Sequence, residues 1–133
     1  MVTQKKFMTR AGWALTILLA VMLTMSGVMK LAYPEFFQKE WEGKLQYPAA
    51  AALAIGIVEL ACVLVYLYPR TAILGAVLLT GYLGGATATH VRINDPFFGP
   101  VVIGMLVWLA IYLREPRVRE LLPWCQARIE RVG

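Results

Sequence analysis

Residues 47–66 read YPAAAALAIGIVELACVLVY, twenty residues with a single charged side chain, Glu59, near the middle. A helix needs about 20 apolar residues to cross the hydrocarbon core of a bilayer, so this stretch predicts a membrane span. A carboxylate at that depth costs roughly 2.5–3.5 kcal/mol on insertion scales. It calls for a partner, a cavity or a task. Three comparable apolar stretches lie around it, and together they predict helices at about 12–29, 47–66, 71–90 and 97–113. Pro69-Arg70 makes the turn between the second and third, Asn94-Asp95-Pro96 breaks the third, and Arg114-Glu115-Pro116 stops the fourth, since proline cannot continue a helix. The expected fold is all-α: an integral membrane four-helix bundle forming one domain over residues 1–133.

The totals agree with that reading. Of the 133 residues, 59% are hydrophobic, and the mean hydropathy is +0.63. A soluble chain averages about 45–50% apolar. The formal charge is +5, but the basic residues flank apolar spans. That pattern marks membrane topology and not nucleic-acid binding. Residues 11–29 follow Lys5, Lys6 and Arg10 as a signal peptide would. They are too long for a typical apolar signal core of about 7–15 residues, and are read as a retained first helix.

Charge asymmetry sets the expected orientation. Lys5, Lys6, Arg10, Arg70, Arg114, Arg117, Arg119, Arg128 and Arg131 fall on one side, and Lys30, Lys39, Lys44 and Arg92 on the other. The richer side is cytoplasmic by the positive-inside rule, so both termini are expected there. The loop 31–46 is then external. Tyr33, Phe36, Phe37, Trp41 and Tyr47 in and beside it read as an interfacial aromatic belt, with room for a short helix across the bundle. The cytoplasmic tail, residues 117–133, carries Leu121, Leu122, Trp124 and Ile129 among arginines. It suits a surface helix on anionic lipid or a solvated tail.

Helical spacing aligns polar and small residues on narrow faces. Ala52, Gly56, Glu59, Val63 and Tyr66 share one, Met22, Ser26, Met29 and Lys30 another, and Thr80, Gly84, Thr87, His90 and Val91 a third. Gly81, Gly84 and Gly85 suggest that the third span is central, because glycines let helices approach closely. Glu59 and His90 are the candidate catalytic pair. Ser26, Lys30, Glu59, Thr80, Thr87, His90 and Arg92 are the candidate ligand-binding set. Each has a plainer reading. Glu59 can be a structural acid, protonated or bonded to a threonine or tyrosine hydroxyl of the third span, and His90 an interfacial residue at a helix end. Lys30 can snorkel to the interface or form a positive rim with Arg92. Met22, Met25 and Met29 read as packing. Two cysteines at different depths and one histidine give no disulfide, no metal site and no evident cofactor ligand set.

Ser26-Gly27-Val28-Met29-Lys30-Leu31, Gly56-Ile57-Val58-Glu59-Leu60, Tyr68-Pro69-Arg70 and Ala86-Thr87-Ala88-Thr89-His90, in that order and spacing, resemble the DoxX-like family of small four-helix membrane proteins. The resemblance covers about residues 10–114. It implies a bacterial protein of the cytoplasmic (inner) membrane. Some members are subunits of membrane redox systems such as thiosulfate:quinone oxidoreductase or of complexes handling thiol and oxidative stress, and others resemble assembly factors. The fold is also similar to that of sterol-binding and sterol-isomerising membrane proteins that hold ligands among their helices. The family's polar positions then fall on Lys30, Glu59 and His90.

Two functions follow as expectations. One is an accessory or assembly subunit of a membrane complex, quinone-linked and redox in character, with a membrane-protein partner or a homo-oligomer. The other is a binding protein or enzyme for a hydrophobic molecule, a quinone or a lipid, held around Glu59 and His90. A transporter is the weakest option, because inverted repeats and broken helices are not evident.

Overall fold

The computed structural model describes residues 2–122, and these contain six α-helices and no strand. Helix α1 is Val2–Ala32, α2 Glu35–Gln38, α3 Ala49–Leu67, α4 Ala72–Arg92, α5 Phe98–Arg114 and α6 Pro116–Leu121. A π-helical segment, Lys39–Lys44, continues α2. Helix α1 begins at Val2 and not near residue 12, because nothing in the polar run before Gly12 breaks a helix. Pro116 follows the end of α5 as expected and opens α6, where its missing N–H is harmless, while Pro48 stands at the N-cap of α3, so that helix starts at Ala49 and not at residue 47. Residues 123–133 of the expected tail, including Trp124 and Ile129, lie outside the described residues.

Helices α1, α3 and α4 are long and apolar enough to cross a membrane. Helix α5 is apolar but only 17 residues long, about 25 Å at 1.5 Å per residue. Many large apolar side chains are exposed along these helices, among them Leu18, Met25, Leu64, Leu74 and Met105. Water would penalise such a surface, whereas acyl chains accept it. Inside, Leu19, Leu23, Val63, Tyr66, Leu79, Leu83, Val107 and Ile111 form one core shared by α1, α3, α4 and α5.

These four helices close a ring. Helix α1 packs on α3 and α5, and α4 packs on α3 and α5. The expectation that the third span would be central is therefore corrected. A Cβ added at Gly81, Gly84 or Gly85 would meet nothing within 4 Å, so these glycines open space and do not bring helices together. Close approach occurs elsewhere. A Cβ on Gly75 would collide with the Tyr66 backbone, and one on Gly27 would sit 2.7 Å from the Leu60 side chain.

One end of the core is closed by Arg114. Its guanidinium donates to the Tyr66 carbonyl at 3.0 Å and lies over the rings of Trp13 and Tyr66. The opposite end is roofed by residues 33–48. Phe37 stacks on Trp41, with ring centroids 5.4 Å apart, and Trp41 leans on Tyr47 at 5.3 Å. The buried Trp41 donates its indole N–H to the Pro48 carbonyl at 3.1 Å. The expected aromatic belt is thus gathered partly into a roof, with Phe36 left exposed.

Candidate functional site

Two glycines bring α1 against α3. A Cβ on Gly56 would lie 3.0 Å from Lys30 Cβ and 3.1 Å from the Gly27 carbonyl oxygen. With the backbones this close, Lys30 at the end of α1 reaches Glu59 in the middle of α3. The Lys30 Nζ donates to Glu59 Oε2 at 2.7 Å and to Ser26 Oγ at 2.7 Å. A longer contact joins Ser26 Oγ to Glu59 Oε2 at 3.4 Å. Glu59 is 1% exposed and Lys30 11%. Lys30 therefore neither snorkels outward nor joins Arg92 in a rim: its stem folds back along α1, and its charge is directed at Glu59. The charged partner of Glu59 comes from the first span, and the third-span hydroxyl that approaches it is that of a tyrosine, Tyr82, and not of a threonine.

Beside this pair lies a cavity of about 530 Å³, within the range of small-molecule sites. Ser26, Lys30, Glu59 and Tyr82 supply its polar side chains at depth, and Leu23, Ile55, Leu83 and Ile103 its apolar walls. The Tyr82 phenol approaches the Glu59 carboxyl. Towards the roof the lining passes to Phe37, Trp41, Leu45 and Tyr47, with Thr89 and His90 from α4.

His90 shares the cavity with Glu59 but is tied to another acid. Its Nδ1 lies 2.9 Å from Asp95 Oδ2, and Lys44 Nζ lies 3.2 Å from Asp95 Oδ1. The His90 hydrogen bond and then the Lys44 ammonium hold the Asp95 carboxyl below its ordinary range. This trio fastens the roof to the end of α4. Arg92 helps from outside the cavity, donating to the Leu45 carbonyl and lying over the Tyr47 ring at 5.1 Å. Tyr47 and Thr89 share a hydroxyl bond of 2.7 Å.

Thr80 and Thr87 are not in this cavity. They line an open groove between α4 and α5 with Gly84, Gly104 and Trp108. There Trp108 donates its indole N–H to Thr80 Oγ1 at 2.7 Å, and Thr87 donates to the Leu83 carbonyl at 2.8 Å. Among the expected set, then, Ser26, Lys30, Glu59 and His90 share one cavity, Thr80 and Thr87 another groove, and Arg92 braces the roof. The expected ligand-binding set left out Tyr82 and Thr89. The signal was present, because Tyr82, Ala86 and Thr89 recur at helical steps on the face next to the stripe of Thr80, Thr87 and His90. Among the described residues, no three histidine, cysteine or carboxylate side chains converge as metal ligands would.

A family model described as the DoxX-like family matches residues 14–113. The chain belongs to the DoxX-like family. The match runs from α1 to α5 and contains Ser26, Lys30, Glu59 and His90. No curated protein and no solved structure matches the chain. Family membership and three long apolar helices together make this DoxX-like chain an integral membrane protein.

Proposed function

We propose that this DoxX-like protein is a membrane-embedded binding protein for a hydrophobic small molecule, a quinone or a lipid, held in the cavity beside Lys30 and Glu59. One observation carries the reading: a cavity of about 530 Å³ with apolar walls and a cluster of polar groups at its floor. Such a combination is the usual form of a small-molecule site, and buried ionisable groups inside a membrane are costly unless used. Ser26, Lys30 and Glu59 fix the polar end of the ligand, while Trp41, Tyr47 and His90 cover the other. Helices α1, α3, α4 and α5 all span the bilayer of a bacterial inner membrane as a four-helix bundle of one domain, with both termini in the cytoplasm. The roof then faces outward.

An accessory role in a redox or assembly complex is compatible with the same site. The α4–α5 groove favours it. Gly84 and Gly104 leave a shallow cleft beside exposed Val101 and Met105, against which a helix of another membrane protein can pack closely.

Purification in mild detergent followed by native mass spectrometry tests the binding function. A co-purifying organic molecule is expected, and Glu59→Gln should reduce its occupancy. An empty protein that also gains no thermal stability from added quinone or lipid would count against it. A second polypeptide retained in its place would favour the accessory role.

A further inference from the structure

The cavity is charge-balanced, and this limits what it can hold. Its lining carries one ammonium, Lys30, and one carboxylate, Glu59, already paired at 2.7 Å, and the His90 imidazole that also lines it is bonded to Asp95 at 2.9 Å. Asp95, the other acid nearby, belongs to the roof fastening and does not line the cavity. Charges interact far more strongly in a low-dielectric interior than in water. A cationic guest would compete with Lys30 for its only carboxylate, and an anionic guest would compete with Glu59 for its only ammonium. A neutral guest leaves the pair intact.

The floor also has a weakly engaged donor. A lysine ammonium carries three N–H bonds. Two are taken at 2.7 Å by Ser26 Oγ and Glu59 Oε2, and the third reaches the Ser26 carbonyl only at 3.4 Å, beyond good geometry. An incoming carbonyl oxygen would be a better acceptor for it. Above the floor, Phe37, Trp41 and Tyr47 make the lining aromatic, which suits a ring-bearing apolar guest.

We infer that the cavity selects neutral, ring-bearing apolar molecules that place a carbonyl oxygen against Lys30, and that it discriminates against lipophilic amines and carboxylates of the same size. This rests on the binding function proposed above and narrows it to a ligand class.

Four probes of one shape decide the matter: 2-acetylnaphthalene, 2-ethylnaphthalene, 1-(2-naphthyl)ethylamine and 2-naphthoic acid. Binding is measured by equilibrium dialysis of the full chain in detergent against detergent alone. The ketone should bind about tenfold tighter than the hydrocarbon, the yield of one hydrogen bond to a charged donor. The amine and the acid should each bind at least tenfold weaker than the ketone. Lys30→Gln keeps an amide donor near Ser26 and Glu59 but removes the positive charge, so it should shift preference towards the amine. An amine that binds the unaltered protein as well as the ketone overturns the selectivity and leaves the binding function standing. Equal binding of ketone and hydrocarbon overturns the role of Lys30 as donor. If no probe exceeds the detergent control, both the selectivity and the binding function fail. The unaltered protein decides these outcomes even where Lys30→Gln does not fold.

Discussion

Lys30 closes the last turn of α1 and Glu59 stands midway along α3, yet their charged atoms are 2.7 Å apart. The pair depends on the glycines beneath it, since Lys30 Cβ sits 3.0 Å from the place a Gly56 Cβ would take. Removing one member of a buried pair leaves the other uncompensated, a loss of roughly 3–5 kcal/mol, whereas replacing both by apolar groups is often neutral. Lys30→Met should therefore lower thermal stability in detergent markedly. The Lys30→Met/Glu59→Met double variant should recover most of the loss. A double variant less stable than either single one would mean that the two side chains contribute independently.

The glycines divide into two classes that thermal unfolding should separate. A Cβ at Gly75 would collide with the Tyr66 backbone, and backbone cannot swing aside; Gly84 would meet nothing. Gly75→Ala is expected to destabilise in the manner of an overpacked core, by about 1–3 kcal/mol or more, or to prevent folding. Gly84→Ala should be neutral or gain up to about 1 kcal/mol from helix propensity. Equal effects at the two positions would contradict the packing of α3 against α4.

The buried face of α3 is legible in the amino-acid sequence. Ala52, Gly56, Glu59, Val63 and Tyr66 recur at helical steps, and all five are buried. Small residues and one costly acid on a single stripe leave little choice about which side faces inward. The partner of Glu59 is not legible in that way. A lysine at a helix end has a stem long enough to point either way, and the choice depends on Gly27 and Gly56 letting α1 and α3 close up. The third-span glycines mislead for the same kind of reason. Sequence shows that Gly81, Gly84 and Gly85 lack side chains; whether a neighbour fills the space depends on which helix lies opposite. Likewise, the aromatic residues of the 33–48 loop are visible in the chain, but their gathering over a cavity depends on contacts with the distant Thr89, His90 and Asp95.

Asp95 gives the roof a defined response to acid. Its carboxyl is held below the ordinary aspartate range by His90 and Lys44. A depressed folded value means that this contribution is complete above the unfolded value and is lost as pH falls through the folded one. Asp95→Asn should speed hydrogen exchange in residues 39–47 at neutral pH and expose Trp41 to quenchers. The difference from the unaltered protein should persist through the ordinary carboxylate range and close only at more acidic pH. A difference that vanishes already at about pH 5, above the ordinary aspartate value, would assign the fastening to another group.

His90 and Glu59 line one cavity but belong to separate networks, and double-mutant cycles can resolve this. His90 is bonded to Asp95, which also holds Lys44; Glu59 is bonded to Lys30 and approached by Ser26. Groups in one network couple by about 0.5–3 kcal/mol, whereas sites without shared partners add to within roughly 0.5 kcal/mol. In thermal stability, His90→Ala with Asp95→Asn should be strongly non-additive, because either change alone releases the same fastening. His90→Ala with Glu59→Gln should be additive. Ligand dissociation should divide in the same way. His90→Ala should speed release by loosening the roof, while Glu59→Gln should weaken affinity by disturbing the Lys30 donor at the floor. Strong coupling between His90 and Glu59 in the ligand-free protein would instead require the two networks to meet across the cavity.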